Sequence, residues 1–105
     1  MKALIAAAVL ATAVPAPAAP DAVTVRIRDD AFTPRTVTVH AGDRVAFVNE
    51  DDDAHTATAD DGSWDSEGLA RGDRWTHAFA KAGRIAYHCT VHPMMHGTIV
   101  VVDAR

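Results

Sequence analysis

Residues 84–97 read Arg84-Ile85-Ala86-Tyr87-His88-Cys89-Thr90-Val91-His92-Pro93-Met94-Met95-His96-Gly97. The first six alternate, placing Ile85, Tyr87 and Cys89 on one side and Arg84, Ala86 and His88 on the other, the period of a half-buried strand. The single thiol of the chain therefore points inward with the core, and His88 points away from it. Pro93 fixes its φ angle and removes a backbone donor, so the residues after Cys89 form a stiff loop rather than more strand. Cys89, His92 and a methionine are thereby delivered to one place by a strand end and the loop that follows it.

Working outward from this stretch, short alternating runs rich in valine recur along the chain, separated by Gly, Asp and Pro, with no sustained helical period. Strands are expected near Val23–Arg28, Thr36–His40, Arg44–Asn49, His55–Ala59, Arg74–Phe79, Arg84–Cys89 and Thr98–Val102. Asp29-Asp30 and Thr33-Pro34 read as interruptions between the first two, and Ala41-Gly42-Asp43 and Lys81-Ala82-Gly83 as tight turns. The irregular stretch from Asp60 to Asp73 leaves room for a short extra strand at Leu69. About seven to eight strands at this spacing predict an all-β chain folded as a Greek-key β-sandwich.

The chemistry of the loop is that of a metal that changes oxidation state. A soft thiolate suits Cu(I), imidazoles suit both Cu(I) and Cu(II), and a weak axial thioether tunes the potential between them. Structural zinc asks for four firm ligands and iron–sulfur clusters for several thiolates, which one cysteine does not supply. Cys89 and His92 are the first two expected copper ligands. The axial thioether comes from Met95 or Met94; spacing barely separates them, and Met95 is preferred, which leaves Met94 outside on a docking patch beside Pro93. The second imidazole is assigned to His55, because it follows the strand ending at Asn49 and returns at the same end of the sandwich. His40 and His96 are weaker candidates, His88 faces away, and His77, on the face of Trp75 and Phe79, reads as a hydrogen-bonded core histidine.

At the other end of the chain, Lys2, the apolar run Ala3 to Val14 and the small residues Ala16-Pro17-Ala18 have the form of a secretion signal, cleaved after Ala18. The run is too short for a membrane span. Residues 19–105 then form one domain, expected to be monomeric and periplasmic or otherwise exported. Such a small exported domain often relies on disulfides, and a lone cysteine cannot form one within the chain. A bound metal accounts for that thiol and stabilises the folded state by mass action. The balance of 14 carboxylates against 10 basic side chains argues against nucleic acid as a partner. The acidic runs Glu50-Asp51-Asp52-Asp53 and Asp60-Asp61 read as solvated loops or as a surface that steers a basic redox partner.

These residues resemble the cupredoxin family of type 1 blue copper proteins, and within it the amicyanin, pseudoazurin and plastocyanin group. The resemblance runs from about Val23 to Val102 and is carried by Phe32-Thr33-Pro34, Val39-His40-Ala41-Gly42-Asp43-Arg44-Val45, Phe47-Val48-Asn49, His55, Gly83, Tyr87-His88-Cys89-Thr90, His92-Pro93 and Met95-His96-Gly97. It implies one type 1 copper per chain held by His55, Cys89, His92 and Met95, and an Asn49 side chain that braces the cysteine loop. It implies electron exchange with a redox protein, a c-type cytochrome or a dehydrogenase, through the edge of His92. Val91 departs from the family by replacing the first loop proline, and His77 by standing where a leucine-like residue is expected. An oxidase role is disfavoured because no His-x-His pair occurs and Thr90 follows the cysteine, and a binuclear copper would need a second cysteine. Copper storage or delivery is the alternative function.

Overall fold

A computed structural model describes residues 21–105, and the signal segment expected at 1–18 lies outside the described residues. The described residues form eight strands: β1 Val23–Arg28, β2 Ala31–Thr33, β3 Thr36–His40, β4 Arg44–Asn49, β5 Thr58–Ala59, β6 Arg74–Ala78, β7 Gly83–His88 and β8 His96–Val102. They make two four-stranded sheets, ordered β2-β1-β4-β6 and β3-β8-β7-β5. Both sheets are mixed: β1 runs parallel to β4 and β3 parallel to β8, while the other pairings are antiparallel. The fold is the expected all-β sandwich.

Two local differences from the expected strands have physical causes. Asp29 and Asp30 do not merely interrupt β1; both take left-handed φ angles, 52° and 54°, and close a two-residue hairpin of the kind that needs positive φ at both central positions. That turn creates β2, which pairs Arg28 with Ala31 and Ile27 with Phe32. The run His55–Ala59 is a ladder strand only at Thr58–Ala59. His55 instead makes an isolated bridge to Leu69, the site of the anticipated short strand, and the Thr56 amide donates to the Cys89 sulfur.

The core lies between the sheets and is built by the inward residues of each strand, among them Val25, Ile27, Phe47, Tyr87 and Ile99, all fully buried. Tyr87 sits at its centre, with Phe32 edge-on at 4.6 Å between ring centroids and Phe47 edge-on at 5.4 Å. Edge-to-face packing suits the ring quadrupoles. Across the β7–β8 ladder Tyr87 faces Gly97, and a Cβ at position 97 would stand 2.3 Å from the tyrosine Cζ. Gly97 is therefore needed for lack of a side chain rather than for its backbone angles. The close approach seats Tyr87 two residues before Cys89 and so fixes the height at which the thiol enters the site.

The Tyr87 hydroxyl is buried without a hydrogen-bond partner among the described residues, and burial pushes its pKa upward. An orphaned buried hydroxyl costs about 1–3 kcal/mol. Tyr87→Phe is accordingly expected to raise the thermal stability of the apo-protein, whereas Gly97→Ala should lower it by about 1–3 kcal/mol through overpacking. Melting curves of the two variants against the parent check both signs.

Candidate metal centre

Two chain segments meet at one end of the sandwich. The first enters from β4 through Glu50–Ala54 and presents His55; the second leaves β7 and presents Cys89 and His92. His55 and Cys89 are fully buried, and the His92 side chain retains 33% of its exposure. The Cys89 Sγ stands 3.7 Å from Nδ1 of His55 and 4.0 Å from Nδ1 of His92. One sulfur and two nitrogens placed about 2.3 and 2.1 Å from a common ion in a trigonal plane would be separated by about 3.8 Å. The three donors thus already have the spacing of a His₂Cys metal triangle, and a copper ion fits between them. The two imidazole rings lie 4.8 Å apart, centroid to centroid.

Met95 is buried, and its backbone closes the loop: its amide donates to the His92 carbonyl at 2.8 Å, and its carbonyl accepts from the Cys89 amide at 3.1 Å. Met94, by contrast, is 93% exposed. Only one of the two thioethers is therefore on the side of the core. Met94 joins Val91 and Pro93 on the outer surface, where with Asp30, His92 and Met95 they line a shallow groove.

The other histidines stand apart from this group. His88 is turned outward as expected and pairs with Asp60 at 2.5 Å, and His40 lies 3.8 Å from Asp43. His77 is half-buried among rings rather than fully inside: it stacks on Trp75 at 5.2 Å and 14°, meets Phe79 edge-on at 5.0 Å and lies 5.6 Å from Trp64. Burial pushes its pKa down.

The asparagine expected to brace the cysteine loop acts elsewhere. The Asn49 Nδ2 donates to the carbonyls of Asp53 and Leu69, at 2.9 and 2.7 Å, and its Oδ1 accepts from the Asp51 amide at 2.9 Å. It shapes the loop that carries His55. The cysteine loop is held instead by Thr56, which the sequence reading overlooked. The Thr56 amide donates to the Cys89 sulfur at 3.3 Å, and its hydroxyl accepts from the Thr90 amide at 2.9 Å. That hydroxyl continues to Thr58 and, through it, to Asp65. The only signal for this role is position: the residue after His55 necessarily follows it into the site.

The acidic run is also less free than expected. Glu50 is paired with Arg26 and Arg28, and the Arg26 bond is the main reason its carboxyl lies below the usual range. Asp51 is half-buried against His55, and Asp52 is bonded to Arg71. No helix among the described residues is long and apolar enough to cross a membrane.

A model of the cupredoxin-like domain matches residues 1–101. The chain belongs to the cupredoxin-like family. Members of this family typically transfer electrons through copper, and the described residues include a copper-type His-Cys-His-Met set in His55, Cys89, His92 and Met95. Among solved structures, a Cu-containing nitrite reductase from Thermus scotoductus SA-01 is 30% identical with a TM-score of 0.75; the match covers 83% of this chain but only 24% of the reductase, about a quarter of its length. A reduced tryptophan-to-tyrosine variant of amicyanin is 26% identical with a TM-score of 0.73 over 81% of this chain and 86% of its own. A purple cupredoxin from Nitrosopumilus maritimus, 24% identical, shares the fold with a TM-score of 0.70 over 75% of this chain and 98% of its own. No curated protein matches the sequence.

His77 sets a pH dependence on this cupredoxin-like sandwich. Its folded pKa lies below the ordinary 6.5, so as the pH falls through 6.5 the unfolded chain takes up the proton first and stability declines. Above that value the effect vanishes. Replacing His77 by Leu should therefore shrink the drop in apo-protein melting temperature between about pH 7.5 and about pH 5.5. An undiminished drop in the variant would show that His77 is not its source.

Proposed function

We propose that this protein is an exported, monomeric blue copper electron carrier, without catalytic chemistry of its own, that passes single electrons between redox proteins. His55 Nδ1, Cys89 Sγ and His92 Nδ1 serve as the firm ligands and Met95 as the axial thioether. The observation that carries this reading is the Sγ···Nδ1 spacing of 3.7 and 4.0 Å, reached by residues 34 and 3 positions from the cysteine. When bound, copper supplies a Cu(I)/Cu(II) couple with the thiolate as its soft partner. The chain's own residues do the rest. Cys89, once deprotonated, accepts the Thr56 amide bond. The loop stiffened by Pro93 keeps His92 in place, and burial of His55 and Cys89 keeps bulk water from those two donors.

His92 is the ligand with an exposed edge, and Val91, Pro93 and Met94 surround it with apolar surface on which a partner cytochrome or dehydrogenase docks. Val91 and Met94 are the large hydrophobic residues most exposed here, a placement that suits short-lived contact with a protein partner. Cleavage of residues 1–18 exports the domain formed by residues 19–105 to the periplasm. The chain's likeness to one part of a nitrite reductase leaves the carrier reading intact, since a lone copper of this type exchanges electrons and does not by itself bind a substrate.

One equivalent of Cu(II) added to the apo-protein should give an intense blue absorption that reductant bleaches and oxidant restores. Cys89→Ser should abolish it. A pale complex in the parent protein, or rapid surrender of copper to an apo-acceptor without redox cycling, would favour copper storage or delivery instead.

A further inference from the structure

His55 is held on its far side by a carboxylate. Its Nε2 lies 2.8 Å from Asp51 Oδ2 while its Nδ1 faces the Cys89 sulfur. The Asp51 carboxylate is itself gripped: Oδ1 accepts the Asp29 amide at 2.8 Å, and Oδ2 accepts the Asp30 amide at 3.1 Å. These two successive amides of the β1–β2 turn, whose residues are both left-handed, point to the same side and close on the carboxylate, as turn amides do around an anion. Aspartate tolerates that conformation better than most residues. The Asn49 side chain fixes the Asp51 backbone from below.

Both Asp51 oxygens already accept backbone amides, and the oxygen that takes the Asp30 amide also meets His55 Nε2, so the carboxylate is placed as an acceptor on every side. An ionised carboxylate only accepts hydrogen bonds, so the proton between the two groups belongs to the imidazole. Nδ1 is then left with a lone pair aimed at the donor triangle. Asp30 adds a weaker influence: its Oδ1 is 3.5 Å from His55 Nε2 and 4.0 Å from His92 Nε2, on an exposed side chain.

We propose that Asp51 is the positioning residue that locks His55 in its Nε2–H tautomer, turns Nδ1 toward the copper, and biases the site toward Cu(II) by its negative charge. This rests on the copper reading above. The β1–β2 turn is the support of the device, so a hairpin on the surface governs the orientation of a buried ligand. Carboxylate–histidine–metal relays of this form change metal affinity about 10- to 100-fold when the outer member is removed. Because the lost charge favours Cu(II) over Cu(I), the two affinities fall unequally, and each tenfold difference raises a one-electron potential by about 59 mV.

The test uses Asp51→Asn, Asp51→Ala and, as a control, Asp30→Asn, which keeps both turn amides. Nitrogen-detected NMR of the apo-proteins reads the His55 tautomer without copper, and voltammetry of the copper-loaded proteins reads the potential. The parent should show only the Nε2–H tautomer. Asp51→Ala should mix tautomers and raise the potential by the equivalent of at least a tenfold shift in the Cu(II)/Cu(I) preference. Asp51→Asn, which keeps an oxygen acceptor, should retain the tautomer yet raise the potential. Asp30→Asn should leave the tautomer alone and move the potential less. An Nδ1–H tautomer in the parent overturns the proposal. So do Asp51 variants that melt earlier but keep the parent potential, since Asp51 would then only hold the turn. Absence of a blue copper complex in the parent overturns the underlying reading as well, and the apo-protein tautomer distinguishes that failure from a failure of the Asp51 relay.

Discussion

Thr56 ties the two halves of the metal centre together. Its amide reaches the Cys89 sulfur and its hydroxyl receives the Thr90 amide, so the segment that carries His55 and the segment that carries Cys89 cannot separate without breaking both bonds. Hydrogen bonds to a charged acceptor are worth roughly twice those between neutral groups, and the amide bond to sulfur strengthens once the thiol becomes a thiolate. The spacing of sulfur and nitrogens therefore belongs to the protein and does not wait for the metal. A ligand set held this way changes little between two oxidation states, and a small change is what fast electron exchange requires.

The sandwich supplies that tie with fixed anchor points. Tyr87 packs over Gly97 and against Phe32 and Phe47, which pins the end of β7 from inside the core. Met95 closes the loop through two backbone bonds, to His92 and to Cys89. On the opposite side, Asn49 bonds the carbonyls of Asp53 and Leu69, and Leu69 in turn bridges to His55. Each ligand-bearing loop is thus held at both ends by backbone groups, with the polar side chains serving as spacers between them.

Part of this was legible from period-two alternation, since β1, β3 and β8 bury every other residue along their inward face, whereas β4 buries the consecutive run Val45, Ala46 and Phe47 and β6 has only half-buried residues at its centre. Cys89 could be oriented from Ile85 and Tyr87 alone, whereas spacing barely separated Met94 from Met95 and the burial of one and exposure of the other distinguish them. What escaped was decided by backbone conformation and by contacts distant in sequence. Nothing in Asp29-Asp30 distinguishes a break from a left-handed hairpin turn until the strand after it finds its partner. His55–Ala59 alternates like a strand, but its amides serve Leu69, the Cys89 sulfur and Ser66 in succession, an irregular assignment with no periodic trace. Asn49 was expected to brace the cysteine loop and braces the histidine loop; a side-chain amide carries no label for its acceptors. His77 was expected as a hydrogen-bonded core residue and sits half-buried in an aromatic stack, where its flat ring substitutes for apolar surface.

The acidic run before His55 illustrates why charge counted along a sequence is a poor guide to charge acting on a site. Glu50 is balanced by Arg26 and Arg28 and Asp52 by Arg71; exposed pairs of this kind contribute little and are screened by salt. Asp51 differs because it is half-buried, is not neutralised by an arginine, and has its compensating donors in backbone amides and an imidazole. Its field falls on His55 through a protein interior rather than through water, so it is screened less. Glu50 and Asp52 therefore shape the surface and Asp51 addresses the buried ligand His55, while Asp53 lies with Asp30 near His92. That division follows from a single geometric fact: the β1–β2 turn offers its two amides at position 51 and not at positions 50 or 52.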